Sequence, residues 1–535
     1  MLADSIGFVT SSSSASERPQ ELSIEQVVLG FRDPVSLCLN EAGFSLFAQR
    51  VGGAIGTVPP LYPEWLGCRT FTEAHGVRFP YVVGEMANGI ASARLVQAAA
   101  RAGLLAFFGA AGLPFERVQA AIDQLRMLDA EGLSWGMNLI HSPHEPALER
   151  RVSDLCVQAG VKRVSAAAYF KLTPAVVRYA YAGVRKADDG SIERKHHVFA
   201  KISRPEVARC FMEPAPSDML DALVRDGSLS EDEARLARQL PVAEDITVES
   251  DSGGHTDNRP LAAIFPTIAA LRDEIMQARG YTRPIRVGAA GGLGTPSAVA
   301  AAFTLGAAYV LTGSVNQACV ESGLHTSGKE MLAKADVADM MMAPAADMFE
   351  MGVNLQVLKR GTMFGVRARK LFELYRKFGA IEDLPAADRE DLEKRVLRES
   401  FDRAWDLTRA FWLEREPSQV ARAETDPHHK MALVFRSYLG RASRWAIDGT
   451  EDRRVDFQIW CGPAMGAFNA WARGSFLESP PNRTVAQVAL NLLEGAAAVT
   501  RAGQLRSFGV PVPASAFNYR PRRLQESFTV SERRP

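Results

Sequence analysis

Residues 287–320 read VGAAGGLGTPSAVAAAFTLGAAYVLTGSVNQACV, 34 consecutive positions without a formal charge. The run is long enough to be mistaken for a membrane span, but its punctuation excludes one. Gly291, Gly292 and Gly294 make a turn, Thr295 follows as a helix N-cap, and Pro296 takes the first helical position. Ser297 to Leu305 then reads as a short Ala-rich helix, Gly306 ends it, and AAYVLTGS reads as a buried strand.

Working outward, the same alternation repeats. Apolar runs of four to eight residues bounded by Gly, Asn, Ser or Asp recur as YVVGEM at 81, LLAFFG at 104, WGMNLI at 135, KRVSAAA at 162, HVFAKI at 197, ITVES at 246, IRVGAA at 285 and AYVLTG at 308. Between them apolar residues return at helical spacing, as in Val118, Ile122, Leu125 and Leu128. Gly132, Gly160, Gly183 and Gly280 stand where helix C-termini need them. Eight buried strands with helical crossovers predict an α/β fold, a (β/α)8 TIM barrel over residues 81–320. Between the fifth and sixth strands, residues 217–240 add two short helices, the second opening on a capping box of Ser230 and Glu233.

Composition agrees with a large core. The chain has 535 residues, 47% of them hydrophobic and 23% charged. Length alone suggests about three or four domains, but one barrel with additions fits equally well. The 62 basic and 62 acidic residues cancel, so no global charge draws the chain to nucleic acid or a membrane. Six Cys without a C-x-x-C pair argue against a disulfide framework or a zinc site, leaving reduced thiols and a cytoplasmic location as the expectation. Residues 1–80 form an N-terminal segment whose Ser-rich start, about the first 20 residues, reads as disordered and not as a signal peptide. Residues 321–480 read as a helical, aromatic-rich domain over one end of the barrel, with no clear strand until DFQIW at 456. Residues 481–535 read as an amphipathic helix (Val485, Val488, Leu492, Ala496, Val499) returning to the barrel, then a loose tail beyond Pro513.

In a TIM barrel the reacting groups lie at the C-terminal ends of the strands, and phosphate is often held by the loops after strands seven and eight. Here those loops are GGLGTP and TGSVN. The first presents backbone N–H groups at a helix N-terminus, with Gly permitting close approach, and the second supplies Thr312, Gly313 and Ser314. A dinucleotide G-x-G-x-x-G fingerprint is absent, because Ser297 stands where the third Gly belongs. At the end of the sixth strand, ESDSGGHTDN at 249 places His255 at the barrel mouth as the best general acid in the chain. Gly253 and Gly254 before it let the backbone pass close to a flat ring, and Asp257 is its nearest partner in sequence. Asp426, His428 and His429 read as a surface loop, not a metal site, and Cys319 and Cys461 as packed thiols.

MANGIAS at 86, MNLIHS at 137, ESDSGGHTDN at 249 and GAAGGLGTPSAVAAAFTLGAAYVLTGSVNQACVESG at 288 together resemble the flavin barrels of the nitronate monooxygenase (2-nitropropane dioxygenase) family. Within it the chain is similar to the PfaD-type trans-acting enoyl reductases of polyketide and polyunsaturated fatty acid synthases. That resemblance extends into MAPAADMFEMGVNLQVLKRGTMF at 342 and QIWCGPAMGAFNAW at 458.

The resemblance implies an FMN across the barrel mouth, with its phosphate near Gly291, Gly292, Gly313 and Ser314. Ala87, Asn88 and Asn138 would flank its ring, and His255 would occupy the family's active-site position. It implies NADPH or NADH as reductant and an enoyl thioester on an acyl carrier protein as substrate, with hydride passing through the flavin to the β-carbon and a proton reaching the α-carbon from His255 or water. Carriers in such systems are mostly acidic. Residues 359–377 hold seven basic residues (Lys359, Arg360, Arg367, Arg369, Lys370, Arg376, Lys377) against Glu373 alone, with Leu371, Leu374, Tyr375 and Phe378 on an apolar face; Arg367, Lys370 and Lys377 are the expected docking side chains. The rival functions are a nitronate monooxygenase-like flavin oxidase and a non-catalytic member of a synthase assembly.

Overall fold

The computed structural model describes residues 20–41, 43–143 and 145–526. By internal contacts the chain divides into two compact units, residues up to 62 with 497–519, and residues 63–496 with the segment from 520 onward. The expected disordered start lies almost wholly outside the described residues.

The larger unit holds a closed barrel of eight parallel strands: β1 (Tyr81–Val83), β2 (Leu105–Phe108), β3 (Gly136–Ile140), β4 (Arg163–Ala167), β5 (His197–Ile202), β6 (Asp245–Glu249), β7 (Arg286–Ala290) and β8 (Val310–Thr312). Each falls within or one residue from the apolar run that predicts it. The ring closes where Val310 pairs with Tyr81 and Thr312 with Val83. Helix α1 (Arg69–His75) seals the N-terminal end: Phe71 stacks on Tyr309 at 4.5 Å and meets Phe199 edge-on.

Beside this plug, buried charges from the first residues of three strands meet His75. Arg286 Nε and Nη2 lie 2.6 and 2.7 Å from the two Asp245 oxygens, His75 Nε2 is 3.0 Å from Asp245, and Arg163 Nε donates to His75 Nδ1. Burial would raise the Asp245 pKa, but Arg286 and His75 outweigh it and hold it well below the usual carboxylate range.

Helix α2 (Pro296–Thr304) forms as its sequence dictates. Thr295 Oγ1 accepts from Ala298 N, Pro296 occupies the first turn, and Gly306 takes φ 98° after it. The two helices between β5 and β6 are Ser217–Arg225 and Glu231–Ala237, the second with both bonds of its capping box.

After β8 the structure corrects the sequence-based expectation. Met340–Pro344 (β9) and Asn354–Leu358 (β10) form an antiparallel hairpin, whereas DFQIW contributes only a single bridge, Val357 to Trp460. Met and Ala are good helix formers, so nothing local announces β9; the hairpin is held by the apolar cluster that Ala343, Leu355 and Val357 share with Phe364, Leu371, Phe435 and Leu439. The helices of this cluster include α3 (Phe364–Lys377), α4 (Phe401–Arg415) and α5 (Pro427–Asp448). His428 and His429 lie in the first turn of α5, capped by Asp426, not in a surface loop. His428 stacks on Tyr375 at 4.0 Å and His429 Nε2 meets Gln419 Oε1.

Helix α6 (Val485–Ser507) follows, its first amide donating to Glu321 Oε2 at 3.1 Å. The tail is not loose up to residue 526. Gln487 Nε2 donates to the Leu524 carbonyl, and Arg522 N donates to Asn491 Oδ1, so side-chain amides of α6 hold the backbone of an Arg- and Pro-rich segment. In the smaller unit, Val35–Asn40 pairs antiparallel with Gly43–Phe47 and Gly56–Val58, a sheet that the sequence reading did not foresee. Buried Arg501 donates there to the carbonyls of Phe31 and Pro59. Among the described residues no helix is long and apolar enough to cross a membrane.

Candidate active site

A cavity of about 820 Å³ opens at the C-terminal ends of the barrel strands and continues beneath α4 and α5. Ala87, Asn88, Asn138, Gly253, Gly254, His255, Gly291, Gly292, Thr312, Gly313 and Ser314 all line it. Strand ends far apart in sequence thus converge as the barrel rule requires.

The glycines do different things. At Gly291 (φ 87°) an added Cβ would sit 2.5 Å from Ser250 Oγ, so this position serves the turn itself. Gly292 (φ 70°) and Gly313 (φ −122°) would each send a Cβ into open space, with no atom within 4 Å. The amides of Gly292, Gly313 and Ser314 form no hydrogen bond among the described residues. This is a cradle: backbone donors without acceptors, on a floor that glycine leaves empty. The residues therefore fit the phosphate of a flavin mononucleotide. The Thr312 hydroxyl is already engaged by Tyr81 OH (2.6 Å) and Asn316 Nδ2 (2.9 Å). Asn138 Nδ2 donates to the Ser165 carbonyl, and Asn88, at φ 58°, reaches Ser443 of α5.

Gly253, which lines the cavity, also has a use that the sequence reading did not foresee. Its Cβ would stand 2.8 Å from Cys461 N and Cα, so glycine lets the 461–462 backbone cross the loop. Gly462 N donates to Ser314 Oγ at 3.0 Å, which ties that segment to the β8 loop. Cys461 is buried, and burial pushes its thiol pKa up, as it does for Cys319.

His255 is held from outside the barrel. It pairs with Leu355 of β10, and Nε2 lies 3.1 Å from Asp347 Oδ1. Asp257, the nearest partner in sequence, instead binds Arg204 and Ser203. Burial pulls the His255 pKa down, but the Asp347 carboxylate wins and raises it above the usual imidazole value. The side chain is 35% exposed, enough to meet a ligand in the cavity.

The sequence reading passed over two further groups. Lys201 Nζ lies 3.0 Å from Glu85 and 3.4 Å from Glu249, all three at strand ends and lining the cavity. Burial would lower the Lys201 pKa, yet the two carboxylates raise it, so the ammonium stays charged. His141, after β3, has Nδ1 3.1 Å from Glu149 Oε2 and its ring stacked on Tyr169. The signal available for both was position alone, a charged residue or His at the C-terminal end of a barrel strand.

The basic helix needs correction. Arg367 forms an ion pair with buried Asp456, and Lys370 Nζ lies 3.0 Å from both Asp388 and Asp391. Of the three expected docking side chains only Lys377 stands exposed without a carboxylate partner among the described residues; it lies over the Phe378 ring. The other two charges are spent holding α3 to its neighbours.

The family model for nitronate monooxygenase matches residues 69–374, more than half of the chain. This chain belongs to the nitronate monooxygenase family. Membership implies a flavin, which the cradle accommodates. A second model, the inserted helical domain of acyl-carrier-protein S-malonyltransferase, matches residues 378–457, where α4 and α5 roof the cavity. Among solved structures, the enoyl reductase domain of MlnA from the macrolactin biosynthesis cluster of Bacillus amyloliquefaciens superposes with a TM-score of 0.79 at 34% identity, covering 83% of this chain and 99% of that one. One of the polyunsaturated fatty acid synthase proteins of Thraustochytrium sp. is 45% identical over 466 residues, 85% of this chain and 31% of its own length. The polyketide biosynthesis protein PksE of Bacillus subtilis is 42% identical over 430 residues, 80% of this chain and 56% of its own. The chain thus spans between about a quarter and just over half of the curated relatives it matches.

Proposed function

We propose that this protein is an FMN-dependent enoyl reductase, which acts in trans with a polyketide or polyunsaturated fatty acid synthase and reduces the α,β-double bond of enoyl thioesters on an acyl carrier protein. The observation that carries this is the shape of the site. One cavity joins the glycine cradle and His255 to a wall of Leu407, Phe411 and Trp412 on α4. An apolar passage leading to a proton donor suits a long acyl chain better than a small nitronate. Likeness to the MlnA enoyl reductase domain over nearly its whole length supports the same reading.

The cradle amides of Gly292, Gly313 and Ser314 would hold the FMN phosphate, and Ala87, Asn88 and Asn138 would lie along its ring. FMN, when bound, would supply the hydride, with NADPH or NADH as the reductant. Asp347 keeps His255 protonated at Nε2 and orients the ring, leaving Nδ1 to give a proton to the substrate α-carbon, directly or through water. Trp412, which is buried, and the crossing 461–462 segment would screen part of the passage from bulk water. The acidic carrier would dock against the exposed charges of Lys377, Arg376 and Lys359.

The test is anaerobic. The FMN-loaded protein is reduced with NADPH, a crotonyl thioester on the cognate carrier is added, and flavin absorbance is followed. Prompt reoxidation with formation of the butyryl thioester is expected. Absence of reoxidation overturns the proposal, and oxygen uptake with alkyl nitronates in its place would favour the oxidase.

A further inference from the structure

Four arginines line the helical wall of the cavity, and three of them are committed. Arg415 Nε is 3.1 Å from Glu145 Oε1 and Arg441 Nη1 is 2.7 Å from Glu399 Oε1. Arg436 is buried, with Nη1 3.0 Å from Glu350 Oε1 and Nε on the Ala346 carbonyl. The fourth, Arg444, forms no hydrogen bond or ion pair among the described residues. The wall therefore carries one positive charge more than the carboxylates that pair with it.

Position makes that charge usable. On α5, residues 437, 440, 441 and 444 all line the cavity, as spacings of three and four residues bring side chains to one helix face. Gly440 is exposed, and no atom lies within 4 Å of where its Cβ would stand. The helix surface thus carries an open notch beside Arg441 and one turn before Arg444. Arg441 is 38% exposed, and a single carboxylate leaves most of its five N–H donors available.

We propose that Arg444, with Arg441 beside it, binds a phosphate ester carried by the ligand that occupies this cavity. A planar guanidinium matches phosphate oxygens two at a time. The ligand class is a phosphate ester whose reactive end lies at the barrel mouth while its phosphate meets α5. Two molecules have this chemistry, the phosphopantetheine arm of a carrier protein and NADPH. The identity of the ester rests on the enoyl reductase reading, but the anion site does not.

The experiment is calorimetric titration of the FMN-loaded protein, in wild-type, Arg444→Ala and Arg444→Lys forms. The probes are pantetheine against phosphopantetheine, and NAD+ against NADP+, the oxidised dinucleotides being used so that the titration cannot reduce the flavin. The wild type is expected to bind the phosphorylated member of one pair at least about tenfold more tightly, equivalent to about 1.4 kcal/mol. Arg444→Ala should abolish that preference without changing affinity for the member that lacks the phosphate monoester, and Arg444→Lys should restore part of it. Loss in the pantetheine pair assigns the site to the carrier arm, and loss in the nicotinamide pair assigns it to the dinucleotide. A wild type that discriminates in neither pair, or an Arg444→Ala variant that keeps the preference, overturns the proposal. Because the readout is binding, enoyl reduction without phosphate preference would refute this site alone, and phosphate preference without reduction would refute the proposed function alone.

Discussion

Gly313→Ala separates the cradle from the fold. Gly313 has φ −122°, on the side of the Ramachandran map that ordinary residues occupy, and an added methyl would meet no atom within 4 Å. With ψ −69° the position lies outside the αR well, so this backbone cost offsets the narrowing of the unfolded ensemble and stability should stay within about 1 kcal/mol of the wild type. The same methyl would stand in the cavity beside the free amides of Gly313 and Ser314. A phosphate oxygen has to come within about 2.9 Å of an amide nitrogen to be bound, and the methyl would push it away. Loss of one charge-assisted hydrogen bond costs about 1.5–3 kcal/mol, so FMN affinity should fall about 10- to 150-fold.

The assay is fluorescence titration of apoprotein with FMN, run beside urea unfolding of the same apoprotein. Gly292→Ala is the companion variant. It also points into open space, but its φ of 70° adds a backbone penalty of about 1–2 kcal/mol, so it should lose both stability and affinity. Wild-type FMN affinity in Gly313→Ala, with unchanged stability, would refute the placement of the phosphate at the β8 loop.

His255→Ala should cut enoyl reduction about 100- to 10,000-fold, as loss of a general acid does. Because Asp347 raises the His255 pKa, the protonated, active form persists to higher pH; Asp347→Asn should therefore move the alkaline limb of the pH–rate profile for kcat/KM toward acid. Asp245→Asn should cost about 3–5 kcal/mol in urea unfolding, since it leaves Arg286 buried without its carboxylate. The folded-state pKa of Asp245 is depressed, so its contribution is present at neutral pH and is lost as pH falls through that lowered value. Lys377→Glu should raise KM for carrier-bound substrate, most at low salt, while leaving stability intact. Arg367→Glu should instead destabilise the protein by about 3–5 kcal/mol, because its partner Asp456 is buried; an effect on carrier KM alone would refute that assignment.

The barrel was legible because its signals are local. Each strand is a short apolar run ending in turn residues, and Thr295, Pro296 and Gly306 spell out the ends of α2. The cradle was legible for the same reason, as glycines after the seventh and eighth strands of a barrel can only face its mouth. His255 could be placed by its strand, but its partner could not. Asp257 is two residues away, yet Asp347 arrives from 92 residues downstream on a hairpin whose Met- and Ala-rich first strand reads as helix. Helical spacing likewise drew the basic face of α3 correctly but said nothing of Asp388, Asp391 and Asp456 opposite it.

By itself, then, the sequence determined the closed parallel barrel, the two glycine loops at its mouth and the place of His255 at that mouth, since each follows from patterns within about ten residues. Only the tertiary structure decided which charges neutralise one another, why Gly253 is glycine, and which helices roof the cavity. Backbone conformation is set by neighbours along the chain, whereas ion pairing and close approach depend on distances of about 3 Å between segments that the chain brings together only when the whole core has folded.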